Sequence, residues 1–284
     1  MNKLSTVVMD GKLVAGQIYS DISKRALEGL ARKPKLAIIL IGNDAPSQIY
    51  IKQKIKACEE LGFEYILDAR SEDKALSTAD VVNLVEQYNK DQSVTGMIVQ
   101  MPLPAHIDKQ EVIKAISPKK DVDGIHPLNF GLTVLGREFE NLTPCTATGV
   151  VKMLEFFKIE LEGKKVVVIG SGIIAGKPIA AMLSNRRATV TICNSKTKDL
   201  AEYTVGADII VVAVGRAKLL KASMVKEGAV VIDVGISRGE DGKIVGDTDF
   251  EGLWGKVAYI SPVPGGVGKL TVACLMSNLL KSAL

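Results

Sequence analysis

Val166-Val167-Val168-Ile169-Gly170-Ser171-Gly172-Ile173-Ile174-Ala175-Gly176 runs from four apolar residues into three glycines spaced G-x-G-x-x-x-G. A β-branched run of this length predicts a buried strand. Glycine has no Cβ, so the turn that follows can be tight and can bring backbone amides and a helix N-terminus close to a pyrophosphate. The spacing is one residue longer than the common G-x-G-x-x-G, and packing alone also produces glycine turns between a strand and a helix. The context favours a dinucleotide. A strand, Lys165–Ile169, precedes the turn, a helix at about Ala175–Leu183 follows, and the strand Ala188–Cys193 completes a βαβ unit.

An acidic residue closing the second strand would accept the ribose hydroxyls of NAD. This strand instead runs out as Ile192-Cys193-Asn194-Ser195-Lys196, with no carboxylate. Ser195 and Lys196 suit a 2′-phosphate; Arg186 and Arg187 lie just before the strand, where a solvated helix end accounts for them equally well. NADP is the expected cofactor, with NAD as the alternative.

Away from this unit, apolar runs of strand length keep alternating with helical patterns. Upstream the candidates are the strand Leu36–Ile41, a helix over Pro46–Leu61 stopped by Gly62, the strand Phe63–Leu67, a helix over Thr78–Tyr88 and the strand Gly96–Val99. Downstream come a helix over Thr146–Phe157 on the near side of the glycine turn, the strands Ile209–Val214 and Val230–Val234, and a last helix over Leu270–Leu280. Strands too uniformly apolar to keep one wet face argue for parallel sheets covered by helices, an α/β fold. Between Pro102 and Pro144 prolines, charges and glycines break the pattern, which predicts linking loops and one short helix near Lys109–Ile116.

The 284 residues suffice for two ordinary domains, and 47% hydrophobic with 24% charged residues is the balance of a globular chain. A formal charge of +4, with bases interleaved among acids, lacks the basic stripe that nucleic acid requires. Asp10 and Lys12 cut off the N-terminal apolar stretch before a signal-peptide core forms, and no apolar run is long enough to span a bilayer. Cys58, Cys145, Cys193 and Cys274 are far apart, and His106 and His126 are not spaced to complete a zinc set. The expectation is a cytoplasmic protein without metal, nucleic-acid or membrane partners.

Four further segments stand out. Tyr50 and Lys54 share a face of the Pro46–Leu61 helix, a flat ring beside an amine able to carry a proton. Lys52 and Lys56 on the same helix show that spacing alone does not select Lys54. Val99-Gln100-Met101-Pro102-Leu103-Pro104 ends a buried strand with a polar residue, at the kind of strand end where open parallel sheets hold ligands. Lys120-Asp121-Val122-Asp123-Gly124 sets two carboxylates in a turn, and Pro262-Val263-Pro264-Gly265-Gly266-Val267-Gly268 is stiff and then flexible before the last helix.

In this order, together with Pro144-Cys145-Thr146 and Asp233-Val234-Gly235-Ile236, these segments resemble the bifunctional methylenetetrahydrofolate dehydrogenase/methenyltetrahydrofolate cyclohydrolase family over essentially the entire chain. The resemblance implies a homodimer of two-domain protomers, with the domains flanking a cleft. A folate-binding catalytic domain would take residues 1–144 with a returning helix at 270–284, and a Rossmann-like dinucleotide domain residues 145–269. It implies NADP-dependent oxidation of 5,10-methylenetetrahydrofolate, then hydrolysis to 10-formyltetrahydrofolate. Lys54 would be the proton carrier, Gln100 its orienting partner, Tyr50 a stacking surface for the folate and Asp123 a hydrogen-bond partner of the pterin. Pro262, Gly265 and Gly266 would line the folate site. Gly170, Ser171, Gly172, Ile174 and Gly176 would meet the cofactor, with Ser195, Ile236 and Thr271.

The chain departs from the family pattern at Ser171 and Gly172, where Arg-Ser is usual, at Asn194 for histidine, at Ala147 for proline and at Lys269 for proline. A serine cannot reproduce a guanidinium fork on a phosphate. These departures make an NAD-preferring or dehydrogenase-only relative the next expectation. A non-catalytic folate or nucleotide binder comes last, because a pure binder has little need of a tuned proton carrier.

Overall fold

The computed structural model describes residues 4–27, 29–30, 32–71, 76–239 and 242–284. In chain order the elements begin with β1 (Val7–Val8), α1 (Gly11–Leu27), β2 (Lys35–Ile41), α2 (Ala45–Leu61), β3 (Glu64–Arg70), α3 (Thr78–Lys90) and β4 (Gly96–Val99). Then come α4 (Lys109–Ala115), α5 (Pro127–Val134), α6 (Cys145–Phe156), β5 (Lys165–Ile169), α7 (Gly176–Asn185), β6 (Thr189–Cys193), α8 (Leu200–Thr204) and β7 (Ile209–Val212). The chain closes with β8 (Val230–Asp233), β9 (Ser237–Arg238), β10 (Ile244–Val245), α9 (Phe250–Leu253), β11 (Tyr259–Ile260) and α10 (Val267–Lys281). Among the described residues no helix is long and apolar enough to cross a membrane.

The chain divides into two compact units, each assembled from separated stretches. One comprises Ile18–Leu132, Arg137–Cys145 and Val272–Leu284 and holds a three-stranded parallel sheet in the order β3-β2-β4. Side chains alternate across a strand. Leu36, Ile38 and Leu40 accordingly enter one core with α10 residues Leu275 and Leu279, while Ala37, Ile39 and Ile41 enter a second with Val81 and Val85 of α3. Two cores on one strand explain why β2 reads as an unbroken apolar run. The edge strand β3 has no such cover on one face, and Tyr65 and Leu67 are exposed.

The other unit comprises Met1–Gln17, Thr133–Gly136 and Thr146–Thr271. Its sheet runs β1-β11-β8-β7-β5-β6, parallel throughout. The sequence order reverses at β5, with β6 on one side and β7 on the other, which makes the C-terminal ends of β5 and β7 the ligand crevice of a doubly wound sheet.

Three expectations change. Residues 1–17 were expected with the first half, but β1 adds to the second half's sheet by pairing with β11, a two-residue pairing too short to leave a pattern. The region between Pro102 and Pro144 carries a second helix, α5, which lies within a run interrupted by Gly131. The last helix begins at Val267, three residues early, because Gly268 continues it rather than breaking it.

Candidate active site

Asp44 starts α2 by accepting from the Ser47 amide over 2.9 Å, and it also takes the Ser47 hydroxyl over 2.6 Å. Ser47, Ile51, Lys54 and Cys58 then form the inward stripe of the helix, whereas Lys52 and Lys56 are exposed and Lys56 pairs with Glu60. Burial therefore selects Lys54, only 7% exposed, from three lysines that sequence spacing could not rank. Its Nζ donates to Gln100 Oε1 over 2.9 Å. The Gln100 backbone extends β4 through its amide to Ile39 O, and its side-chain nitrogen donates to Met101 O over 2.8 Å, so the oxygen faces the lysine.

Burial depresses the Lys54 pKa below the usual lysine value by disfavouring the charged amine; Asp123 and Cys145 act in the opposite direction. Tyr50 lies one turn before Lys54 and is half-buried, which raises its phenol pKa. Asp123 is held by its neighbours. Asp121, buried, accepts from His126 N over 2.8 Å and Asn129 Nδ2 over 2.9 Å, and burial raises its pKa. Gly124 has φ 71°, and a Cβ there would overlap the Thr143 carbonyl. Asn278 of α10 donates to Val122 O over 2.9 Å and to Thr143 O over 2.8 Å, fixing both strands of the turn. Lys54, Gln100, Tyr50 and Asp123 thus belong to one unit, and Asp123 is close enough to Lys54 to act on its charge. Asp44, Ser47 and Asn278 were not singled out from the sequence, and Asp121 was noted only as one of two carboxylates in a turn; of the first three, only Asp44, as a helix-capping type just ahead of α2, carried a readable signal.

In the second unit, Gly170 has φ 120° and a Cβ there would overlap Ala213 O; one on Gly176 would overlap Gly170 O. These two glycines are demanded by the protein's own backbone. Gly172 has open space around its Cβ position, so the fold does not require it, and a backbone there is free for a ligand to approach. Ile173 and Ile174 in the same turn are exposed, as are Val214 after β7 and Ile236 after β8. Ser195 follows β6, where Asn194 Oδ1 accepts from Lys196 N over 2.9 Å and no carboxylate intervenes. Pro262, Gly265 and Gly266 follow β11, and Gly265 O accepts from Gly11 N over 2.9 Å. Thr271 lies in α10, its hydroxyl 3.4 Å from that of Thr146. The expected cofactor and loop residues apart from Thr271 accordingly stand at the C-terminal ends of parallel strands. Among the described residues no cluster of His, Cys, Asp and Glu is arranged to hold a metal ion.

Residues 9–123 match the family model for the tetrahydrofolate dehydrogenase/cyclohydrolase catalytic domain, and residues 144–284 match its NAD(P)-binding domain. The bifunctional protein FolD of Bacillus subtilis (strain 168) is 46% identical over 283 residues, covering 99% of this chain and 98% of that protein. The crystal structure of the bifunctional enzyme FolD from Campylobacter jejuni is similar with a TM-score of 0.93 at 45% identity, covering 98% and 99% of the two chains. The Trypanosoma brucei methylenetetrahydrofolate dehydrogenase-cyclohydrolase, complexed with NADP cofactor and inhibitor, gives a TM-score of 0.90 at 36% identity over 98% and 97%.

Proposed function

The chain belongs to the tetrahydrofolate dehydrogenase/cyclohydrolase family, and on that premise we propose how its residues divide the two reactions. The enzyme oxidises 5,10-methylenetetrahydrofolate to the methenyl form and hydrolyses that to 10-formyltetrahydrofolate. NADP, when bound, accepts the hydride from the methylene bridge. Gly172 and the start of α7 would receive its pyrophosphate, because Gly172 alone of the three turn glycines has space to spare. Ser195 and Lys196 would take the 2′-phosphate, and Ile174, Ile236 and Thr271 would bound the remainder.

Lys54 carries the proton traffic of hydrolysis. A buried amine with a depressed pKa is available in neutral form, with a lone pair that can take a proton from the water adding to the methenyl carbon. Gln100 keeps the amine aimed by accepting a hydrogen bond from it. Tyr50 offers a ring face to the folate, Asp123 a carboxylate to the pterin, and Pro262, Gly265 and Gly266 a wall. The hydrogen bond from the buried Lys54 to the half-buried Gln100 is the observation that supports this reading most directly. A Lys54→Met enzyme tests it: methenyltetrahydrofolate hydrolysis should be lost with folate binding kept, and hydrolysis at the parent rate would overturn the assignment.

A second reading concerns the cofactor. Ser171 offers no guanidinium for the 2′-phosphate, which favours an enzyme that also accepts NAD; the ratio of kcat/KM for the two dinucleotides decides it. Assembly as a homodimer is supported by β3, whose outer edge is unpaired among the described residues and carries exposed Tyr65 and Leu67. A cytoplasmic location is supported by four buried cysteines, none of them in a disulfide.

A further inference from the structure

Asp247 is fully buried, and its carboxylate is ringed by three consecutive amides of the loop after β7. Val214 N donates to Oδ2 over 2.7 Å, Gly215 N to Oδ2 over 3.0 Å and Arg216 N to Oδ1 over 2.7 Å. Successive amides curled in this way form an anion-binding nest, and here the protein fills it with its own side chain. The carboxylate also lies against Gly235 in the loop after β8, where any Cβ would overlap it.

Asp247 is itself held by a second buried carboxylate. Asp233, the last residue of β8, accepts from Asp247 N over 3.0 Å, from Gly235 N over 3.0 Å, and from the Thr248 amide and hydroxyl over 2.8 and 2.7 Å. The Asp233 amide donates to Ser261 Oγ over 2.7 Å, which ties in the residue after β11. A Cβ on Gly246 would overlap the Asp233 carboxylate and crowd Val263. Two carboxylates therefore register three loops, after β7, β8 and β11, all at the same end of the sheet.

In a doubly wound sheet the adenosine ribose is met at the end of the strand after the glycine turn, here β6, and the pyrophosphate crosses the turn itself. The other half of the dinucleotide then falls on the opposite side of β5, over the loops after β7 and β8. We infer that Asp247 is a positioning residue for that half: it holds the Val214–Arg216 loop in shape and, through Asp233, sets it against the loop carrying Ile236. The inference rests on the dinucleotide reading given above. It also accounts for Asp233-Val234-Gly235-Ile236 as one device, the aspartate as anchor and the glycine as clearance for Asp247.

The test is an Asp247→Asn enzyme. An amide must turn a nitrogen donor toward amides that are donors themselves, so the nest cannot keep its shape. The dissociation constant for NADPH, read by calorimetry, should rise by about tenfold, and the KM for NADP in methylenetetrahydrofolate oxidation by a similar factor. Hydrolysis of methenyltetrahydrofolate, which needs no dinucleotide, should stay within about twofold of the parent. An unchanged NADPH affinity, or a parallel fall in both activities while the protein stays folded, overturns the inference. If Asp247→Asn does not fold, Thr248→Val removes one donor to Asp233, and a rise of about threefold in the NADPH dissociation constant is expected; no change there overturns it as well. A parent enzyme that binds NADPH but neither oxidises nor hydrolyses its folate would instead overturn the functional reading.

Discussion

Lys54 and Gln100 are bonded so that the amide has one orientation available: Oε1 accepts from the lysine over 2.9 Å while Nε2 donates to Met101 O over 2.8 Å. The glutamine senses the main chain with one end and the amine with the other. Replacing Gln100 by glutamate would set a carboxylate beside the lysine and favour its charged form. The pH needed to reach half-maximal cyclohydrolase activity should move up by about one unit. A pH–rate profile that coincides with the parent's would count against the pairing.

The same burial that depresses the Lys54 pKa costs stability. Below its lowered folded value the amine is charged in both states and the full desolvation penalty applies. From there up to 10.5 the unfolded chain holds the proton and the folded one does not, so stability rises with pH across that window. Lys54→Met should be more stable than the parent by about 1 kcal/mol at neutral or lower pH, and the gain should shrink as pH climbs toward 10.5. Thermal melts of both proteins at several pH values check the sign.

The glycine turn separates a packing role from a binding role. Gly176→Ala forces a methyl group into Gly170 O and should destabilise the dinucleotide unit by about 3 kcal/mol. Gly172→Ala meets open space, so its melting temperature should stay near the parent's while NADPH binding weakens. Equal loss of stability in the two variants would refute the distinction.

Ser171→Arg restores a planar fork next to the expected 2′-phosphate position. The KM for NADP should fall by about fivefold with that for NAD unchanged. Steady-state kinetics with each dinucleotide measures the ratio.

Much of the fold was legible because most of the strands that build it are unbroken apolar runs. Lys165–Ile169 and Gly96–Val99 carry their bounds in the sequence, and Gly62 stops α2 as the sequence suggested, in the left-handed conformation. Two-residue strands such as β1 and β11 left no periodicity to read, and α5 was hidden by the glycine and turn residues around it. In the site, Lys54 could be picked out by family resemblance and by burial but not by helical spacing. Asp247 was illegible for a different reason: a lone aspartate among glycines reads as a turn, and only the fold shows three amides closing on it.

The return of α10 to the folate-side unit has a consequence for how the protein is made. Leu275, Met276, Leu279 and Leu280 are fully buried against β2 and β4 residues such as Ile38 and Ile98, yet they are made only after the whole stretch Thr146–Thr271 of the other unit. The unit whose main stretch, Ile18–Leu132, is translated first therefore waits for a segment made after Thr146–Thr271. Its apolar surface waits uncovered while the whole dinucleotide unit is synthesised. A stop codon at Val272 would keep every stretch of that second unit and deprive the lysine's own half of the helix that covers it.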